Sequence, residues 1–221
     1  MNTLMSIWMV MNPMSWIESL NQEHLDVFKE IGNIGAGNAA TALATMLDRR
    51  MTMRVPQVEI VPFQKITDIL DGPESIVAGV LVGMSGDMKG SILLVMSQQD
   101  AATLISILIG KDAQAIDLQA FSEEDTSALT EIANILVGSY ISAISAMTGL
   151  LIIPTVPELT VDMAGAIMSV LTIEYGKLGD AVLFLETAFY DSEASLAGHF
   201  FLIPDLPSYT TLIQSLGITV G

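Results

Sequence analysis

The feature that most constrains this chain is that it carries one sequence unit twice. Glu30-Ile31-Gly32-Asn33-Ile34 returns as Glu131-Ile132-Ala133-Asn134-Ile135, displaced by 101 residues. Gly37 and Gly138, Ala42 and Ala143, Met46 and Met147, and Val55-Pro56 and Val156-Pro157 keep that displacement. Farther on it becomes 108, matching Gly90 with Gly198 and Thr103-Leu104-Ile105 with Thr211-Leu212-Ile213, so the second copy holds seven extra residues in its middle. A repeat of about 100 residues makes a marginal domain alone, whereas two copies that pair their sheets bury a common core. The reading is therefore an α+β fold in which a tandem duplication forms one pseudo-twofold-symmetric domain, with a β-sheet core and two long helices. Residues 1–15 are an extension, 16–110 the first repeat, 111–121 the connection and 122–221 the second repeat.

Within one unit the pattern predicts a long helix, a strand, a short helix, two or three strands and a closing helix. In the first copy these are Glu23–Leu47, Met51–Val61, Gln64–Leu70, Ser75–Val82, Ser91–Met96 and Gln98–Ile109. Asp71-Gly72-Pro73 stops the short helix, and Ser122 with Asp125 three residues on caps the second long helix. The extra residues fall in the second copy's version of the short helix. Asp162–Lys177 carries Met163, Ile167, Val170, Leu171 and Glu174 at helical spacing, with Asp162 as N-cap and Gly176 or Gly179 as stop, so that this helix gains about two turns. Burial in the core and exposure to a partner are both open for it.

Glu and Asn three residues apart share one face of a helix. Continuing that face gives Glu30, Asn33, Gly37, Thr41 and Ala44, and in the second copy Glu131, Asn134, Gly138, Ser142 and Ser145. Each strip is a carboxylate, an amide and then small residues, while Ile31, Ile34, Leu43 and Leu47, or Ile132, Ile135, Ile141 and Ile144, suit the core. Glycine inside a helix costs about 1 kcal/mol relative to alanine, and the first helix has Gly32, Gly35 and Gly37. Close packing on a sheet explains such glycines, and so does an open strip at Gly37 and Gly138 where a partner's loop approaches. Spacing alone leaves a solvated surface and a functional strip both open.

Other chemistries are poorly served. The chain has no cysteine and two histidines, His24 and His199, which disfavours thiolate catalysis and histidine-rich metal sites. Gly32-x-x-Gly35-x-Gly37 lacks the preceding strand that a dinucleotide fingerprint needs. Twenty-five acidic residues against eight Lys and Arg give a net charge of −17 without a basic cluster, which sets nucleic acid aside and is compatible with the cytoplasm. No apolar run approaches the roughly 18 residues of a spanning helix. The uncharged, methionine-rich start, Met1 to Trp16, reads as a disordered extension rather than a targeting peptide, with weak membrane-surface contact as the alternative.

Taken together, Glu30–Asn38, Glu131–Tyr140 and Val156-Pro157-Glu158 with Asp162-Met163 resemble the CheC family of chemotaxis phosphatases, from about Trp16 to Gly217. That resemblance implies removal of the aspartyl phosphate from a CheY-like response regulator. Asn33 and Asn134 would orient the attacking water, Glu30 and Glu131 would contact the regulator, and Gly37 and Gly138 would let it approach. Mg²⁺ would belong to the regulator, and the chain itself would need no cofactor. It also implies that the second-copy helix, with Asp162, Met163 and Gly165, docks the receptor deamidase CheD. The expected protein is a cytoplasmic monomer; the alternative is a non-catalytic adaptor for phosphorylated regulator or CheD.

Overall fold

A computed structural model of the chain describes residues 21–62, 65–117, 120–175, 181–190 and 195–218. The start through Leu20, Gln64, Gly176, Lys177 and Gly179, on which some sequence expectations fall, lies outside those residues. In chain order the elements are α1 (Gln22–Leu47), β1 (Thr52–Arg54), β2 (Val58–Pro62), α2 (Ile66–Ile69), β3 (Ile76–Gly86), β4 (Gly90–Ser97) and α3 (Gln98–Ile109). The second copy supplies α4 (Glu123–Thr148), β5 (Ile152–Pro154), β6 (Glu158–Met163), α5 (Ala164–Tyr175), β7 (Ala181–Tyr190), β8 (Ser195–Pro204) and α6 (Leu206–Ser215).

Each half completes the other's sheet. The hairpins β3–β4 and β7–β8 meet along an antiparallel β4–β8 seam, and all eight strands form one sheet. The strand pair following α1 does not join its own hairpin: β1 and β2 pair with β7, while β5 and β6 pair with β3. Exchange of this kind explains why the duplication yields one domain, since neither repeat alone supplies a neighbour for its short strands. Val80 faces Leu159 and Leu185 faces Val58, so the two halves hold the same register.

Alternation along the strands divides the core into two layers. Ile92, Leu94 and Met96 of β4, with Phe200 and Leu202 of β8, face α1, α3, α4 and α6. Leu93, Val95, Phe201 and Ile203 face the other way, beneath α2 and α5. The long helices start alike: Asn21 accepts from the His24 N–H at 3.1 Å, and Ser122 Oγ accepts from the Asp125 N–H at 3.2 Å. Asp125 returns the favour at the Ser122 N–H, 3.0 Å away, completing the predicted capping box. The Ser122 hydroxyl also donates to Asp125 Oδ2 at 2.6 Å, and this bond, with the Ser122 N–H and Lys111, holds the Asp125 carboxyl below its ordinary pKa. Both helices end on a left-handed residue, Asp48 at φ 48° and Gly149 at φ 73°.

Helix α4 is long and apolar enough to cross a membrane, but 56% of its most apolar window is buried inside the protein, and it packs as a core helix. Three expectations change. The Gly90–Gly198 match is not a structural equivalence: Gly90 opens β4 at φ 130°, where a Cβ would strike the Ile203 carbonyl, whereas Gly198 lies within β8 opposite Thr187. Strand Met51–Val61 is broken at Val55–Gln57 into β1 and β2. Helix α5 begins at Ala164, so Asp162 is not its N-cap; Asp162 and Met163 end β6, opposite Val77 and Ile76. The carboxylate of Asp162 instead accepts its neighbour's Met163 N–H at 2.7 Å. The lengthening is present, with twelve residues in α5 against four in α2.

Candidate active site

Helices α1 and α4 pack against each other above the sheet, and their sequence fixes which face looks outward. In α4 the buried side is Ile132, Ala133, Leu136, Val137, Tyr140, Ile141 and Ile144. Directly opposite, Glu131, Asn134 and Ser142 are exposed and Gly138 is half-buried. In α1 the buried residues are Phe28, Ile31, Gly32, Gly35, Ala36, Ala39 and Leu43, leaving Glu30, Asn33, Gly37 and Thr41 exposed. The predicted strips therefore both lie on the outer surface of the helical layer. They match down to backbone contacts: Thr41 donates to the Gly37 carbonyl at 2.9 Å, and Ser142 to the Gly138 carbonyl at 2.8 Å.

The glycines serve two purposes, as their surroundings show. A Cβ on Gly35 would lie 3.1 Å from Tyr140 Cα, so this glycine lets the long helices cross closely. Tyr140 is fixed there by its hydroxyl, 3.1 Å from Thr187 Oγ1, and by the Phe200 ring, whose centroid is 4.4 Å away. Burial pushes the Tyr140 phenol up to about 12. Gly37 and Gly138 are the opposite case: a Cβ on either would meet nothing within 4 Å. Each leaves bare backbone beside a Glu-Asn pair, open to an incoming surface.

Chemically each strip offers an exposed carboxylate one helical turn from an exposed amide. A carboxylate accepts hydrogen bonds and pairs with a cation, whereas an amide donates and accepts together without titrating. Among the described residues Glu30, Glu131 and Asn134 have no hydrogen-bond partner. Asn33 does have one: its Oδ1 accepts the Val55 N–H at 3.2 Å. Val55 and Gly32 are the residues that sequence reasoning left out of the site. Among the described residues no three His, Asp or Glu side chains gather as metal ligands.

The remaining predicted positions lie at the end of β6 and the start of α5, the helix that packs on the other side of the sheet through Ala164, Met168 and Leu171. Asp162 and Met163 are exposed. Gly165 is not an open docking position, because its N–H binds the Pro73 carbonyl at 2.9 Å and a Cβ would come within 3.0 Å of that oxygen. Among the described residues, the large apolar side chains that α5 exposes are Val170, at 61%, and Ile173, at 79%.

The CheC-like family model matches residues 23–60 and 124–161, the segments that carry the two strips. Over 209 residues the chain is 34% identical to the CheY-P phosphatase CheC of Bacillus subtilis, covering 94% of this chain and 100% of that one. It is 36% identical over 129 residues to the flagellar motor switch phosphatase FliY of the same organism, 58% of this chain but only 33% of that longer protein. The crystal structure of Thermotoga maritima FliY superposes with a TM-score of 0.73, covering 90% of this chain and 98% of that one; at 19% identity it speaks for the fold alone. Two matched repeats and a relative aligned along its whole length place the chain in the CheC-like family.

Proposed function

We propose that the protein is a phosphatase of phosphorylated CheY-like response regulators, acting as a cytoplasmic monomer. The observation that carries the reading is the outward Glu-x-x-Asn pair present twice, each beside a glycine with nothing within 4 Å of its Cβ position. The name of the Bacillus relative supports the substrate.

An acyl phosphate is hydrolysed when a water oxygen bonds to phosphorus as the bond to the aspartyl oxygen breaks. The aspartate leaves as a carboxylate, and the water's proton passes to phosphate or solvent. The regulator would bring the phosphoryl group, its own Mg²⁺ and its own lysine. This chain would supply position: Asn33 or Asn134 hydrogen-bonds the water in line with the leaving oxygen, and Glu30 or Glu131 holds the regulator through its cation. Neither amide is a base, and orientation alone can supply much of a barrier's reduction. A glutamine orients water in the same way in some GTPases. The test is release of inorganic phosphate from a phosphorylated CheY-like regulator with and without the protein; no acceleration overturns the reading and leaves the adaptor.

The partner reading also has an observation of its own. Val170 and Ile173 expose apolar surface on α5, which the first repeat's four-residue α2 has no length to match. We assign this surface to a CheD-type deamidase, on the face of the sheet away from the Glu-Asn strips.

A further inference from the structure

The two strips match in sequence but differ in how their amides are held. Val55 and Val156 are equivalent residues, and the connectors containing them are anchored alike: Arg54 pairs with Ala188, and the Thr155 N–H binds the Gly83 carbonyl at 2.9 Å. Beyond them Val58 and Leu159 sit at equivalent rungs, facing Leu185 and Val80. Between the same anchors the valines go opposite ways. Val55 is 1% exposed and gives its N–H to Asn33, whereas Val156 is 80% exposed and its N–H has no partner among the described residues.

Beside these valines the two helices differ by a single methyl group. A Cβ on Gly32 would lie 3.2 and 3.3 Å from the Val55 methyl carbons and 3.0 Å from Leu185 Cδ2. Those separations are tighter than ordinary van der Waals contact. The second copy has that Cβ, because the residue equivalent to Gly32 is Ala133, which is fully buried. Ala133 therefore occupies the space into which Val156 would have to fold.

We infer that Gly32 is a positioning residue for Asn33: by lacking a side chain it admits Val55 against α1, and the Val55 N–H then orients the amide. With one lone pair of Oδ1 taken by Val55, the Asn33 amide is restricted in its rotation. Asn134, beside Ala133, turns freely, so the two Glu-Asn pairs are not equivalent sites. The kinetic consequence rests on the phosphatase reading; the structural one stands without it.

Both are testable in the full chain. Amide hydrogen exchange followed by NMR should find Val55 protected and Val156 exchanging freely. Gly32→Ala should lower the protection of Val55 toward that of Val156, and if it folds poorly, Ala133→Gly should raise the protection of Val156. Equal exchange at the two valines, or no response to either substitution, overturns the inference whatever the enzyme does. In phosphate release, Gly32→Ala should lower kcat of the Asn33 pair roughly two- to tenfold, the reach of one neutral hydrogen bond, with KM little changed. Gly32→Ala and Asn33→Ala should be non-additive because both act at one amide, whereas Gly32→Ala and Asn134→Ala should add. The reverse pattern of additivity overturns the positioning role. A protein that shows the exchange contrast but releases no phosphate in any form removes the phosphatase reading and leaves the clamp.

Discussion

Placing alanine at Gly37 should make the protein more stable and less active. In the interior of a helix alanine is worth about 0.8–1 kcal/mol over glycine. That gain is offset where the added Cβ collides, but at Gly37 and at Gly138 nothing lies within 4 Å and neither residue has a positive φ. Each substitution should therefore return nearly the whole propensity term, and because they sit on different helices the double variant should gain about 1.5–2 kcal/mol. For a chain of this size that raises Tm by roughly 3–8 °C. Gly35→Ala is the internal control. It has the same propensity gain, but its Cβ meets Tyr140 at 3.1 Å, and Tyr140 is pinned by Thr187 and Phe200. Overpacking of this kind costs about 1–3 kcal/mol, so Gly35→Ala should come out neutral to destabilising. Urea melts of the three variants give the ordering, and phosphate release should fall for Gly37→Ala with Gly138→Ala because the methyls stand where the regulator approaches. Loss of stability in the double variant would refute the open strip. Unchanged phosphatase kinetics in a stabilised double variant would refute its use as the docking surface.

Replacing Glu30 and Glu131 together by Gln should weaken regulator association about tenfold to a hundredfold, the worth of a charge-assisted hydrogen bond, read as KM in phosphate release; kinetics equal to wild type would count against the contact. Val170→Asp with Ile173→Asp, both on exposed positions of α5, should abolish capture of a CheD-type deamidase without lowering Tm, and retained binding would remove that surface from consideration. Burial holds the His199 imidazole below its ordinary pKa, against the opposing pull of Glu186, Asp100 and Asp71. The neutral ring is thus favoured by folding, so its contribution is complete above about pH 6.5 and is lost as pH falls through the lower folded value. His199→Gln should flatten the fall in Tm below that pH, and a melt profile of unchanged shape would show that His199 is not responsible.

Much of the fold was legible because it is local. Helical spacing and Ser122 with Asp125 fixed α4, Asp71-Gly72 ended α2, and the extra residues correctly pointed to a longer α5. The strips were legible for the same reason, since a helix places residues three and four apart on one face wherever it packs. What escaped was non-local. Nothing in either repeat says that β1 and β2 will pair with β7 rather than with their own hairpin. The N-cap role assigned to Asp162 failed because pairing with β3 carries the extended backbone through Met163. Gly165, read as a docking position, is held by Pro73, a contact across more than ninety residues of sequence. The Gly32–Ala133 difference was visible in the repeat alignment, but its meaning depends on where Val55 lies.

The central claim is that the two amides orient the attacking water, and release of inorganic phosphate from a phosphorylated CheY-like regulator tests it most directly. Asn134 is exposed and unpaired among the described residues, so Asn134→Ala should leave the melting curve in place, whereas Asn33→Ala strands the buried Val55 N–H and should cost about 1–3 kcal/mol in a variant that still folds. With both replaced, the regulator should lose its phosphate no faster than it does alone, while each single variant retains part of the activity. A folded double variant that still releases phosphate at the wild-type rate would contradict the account.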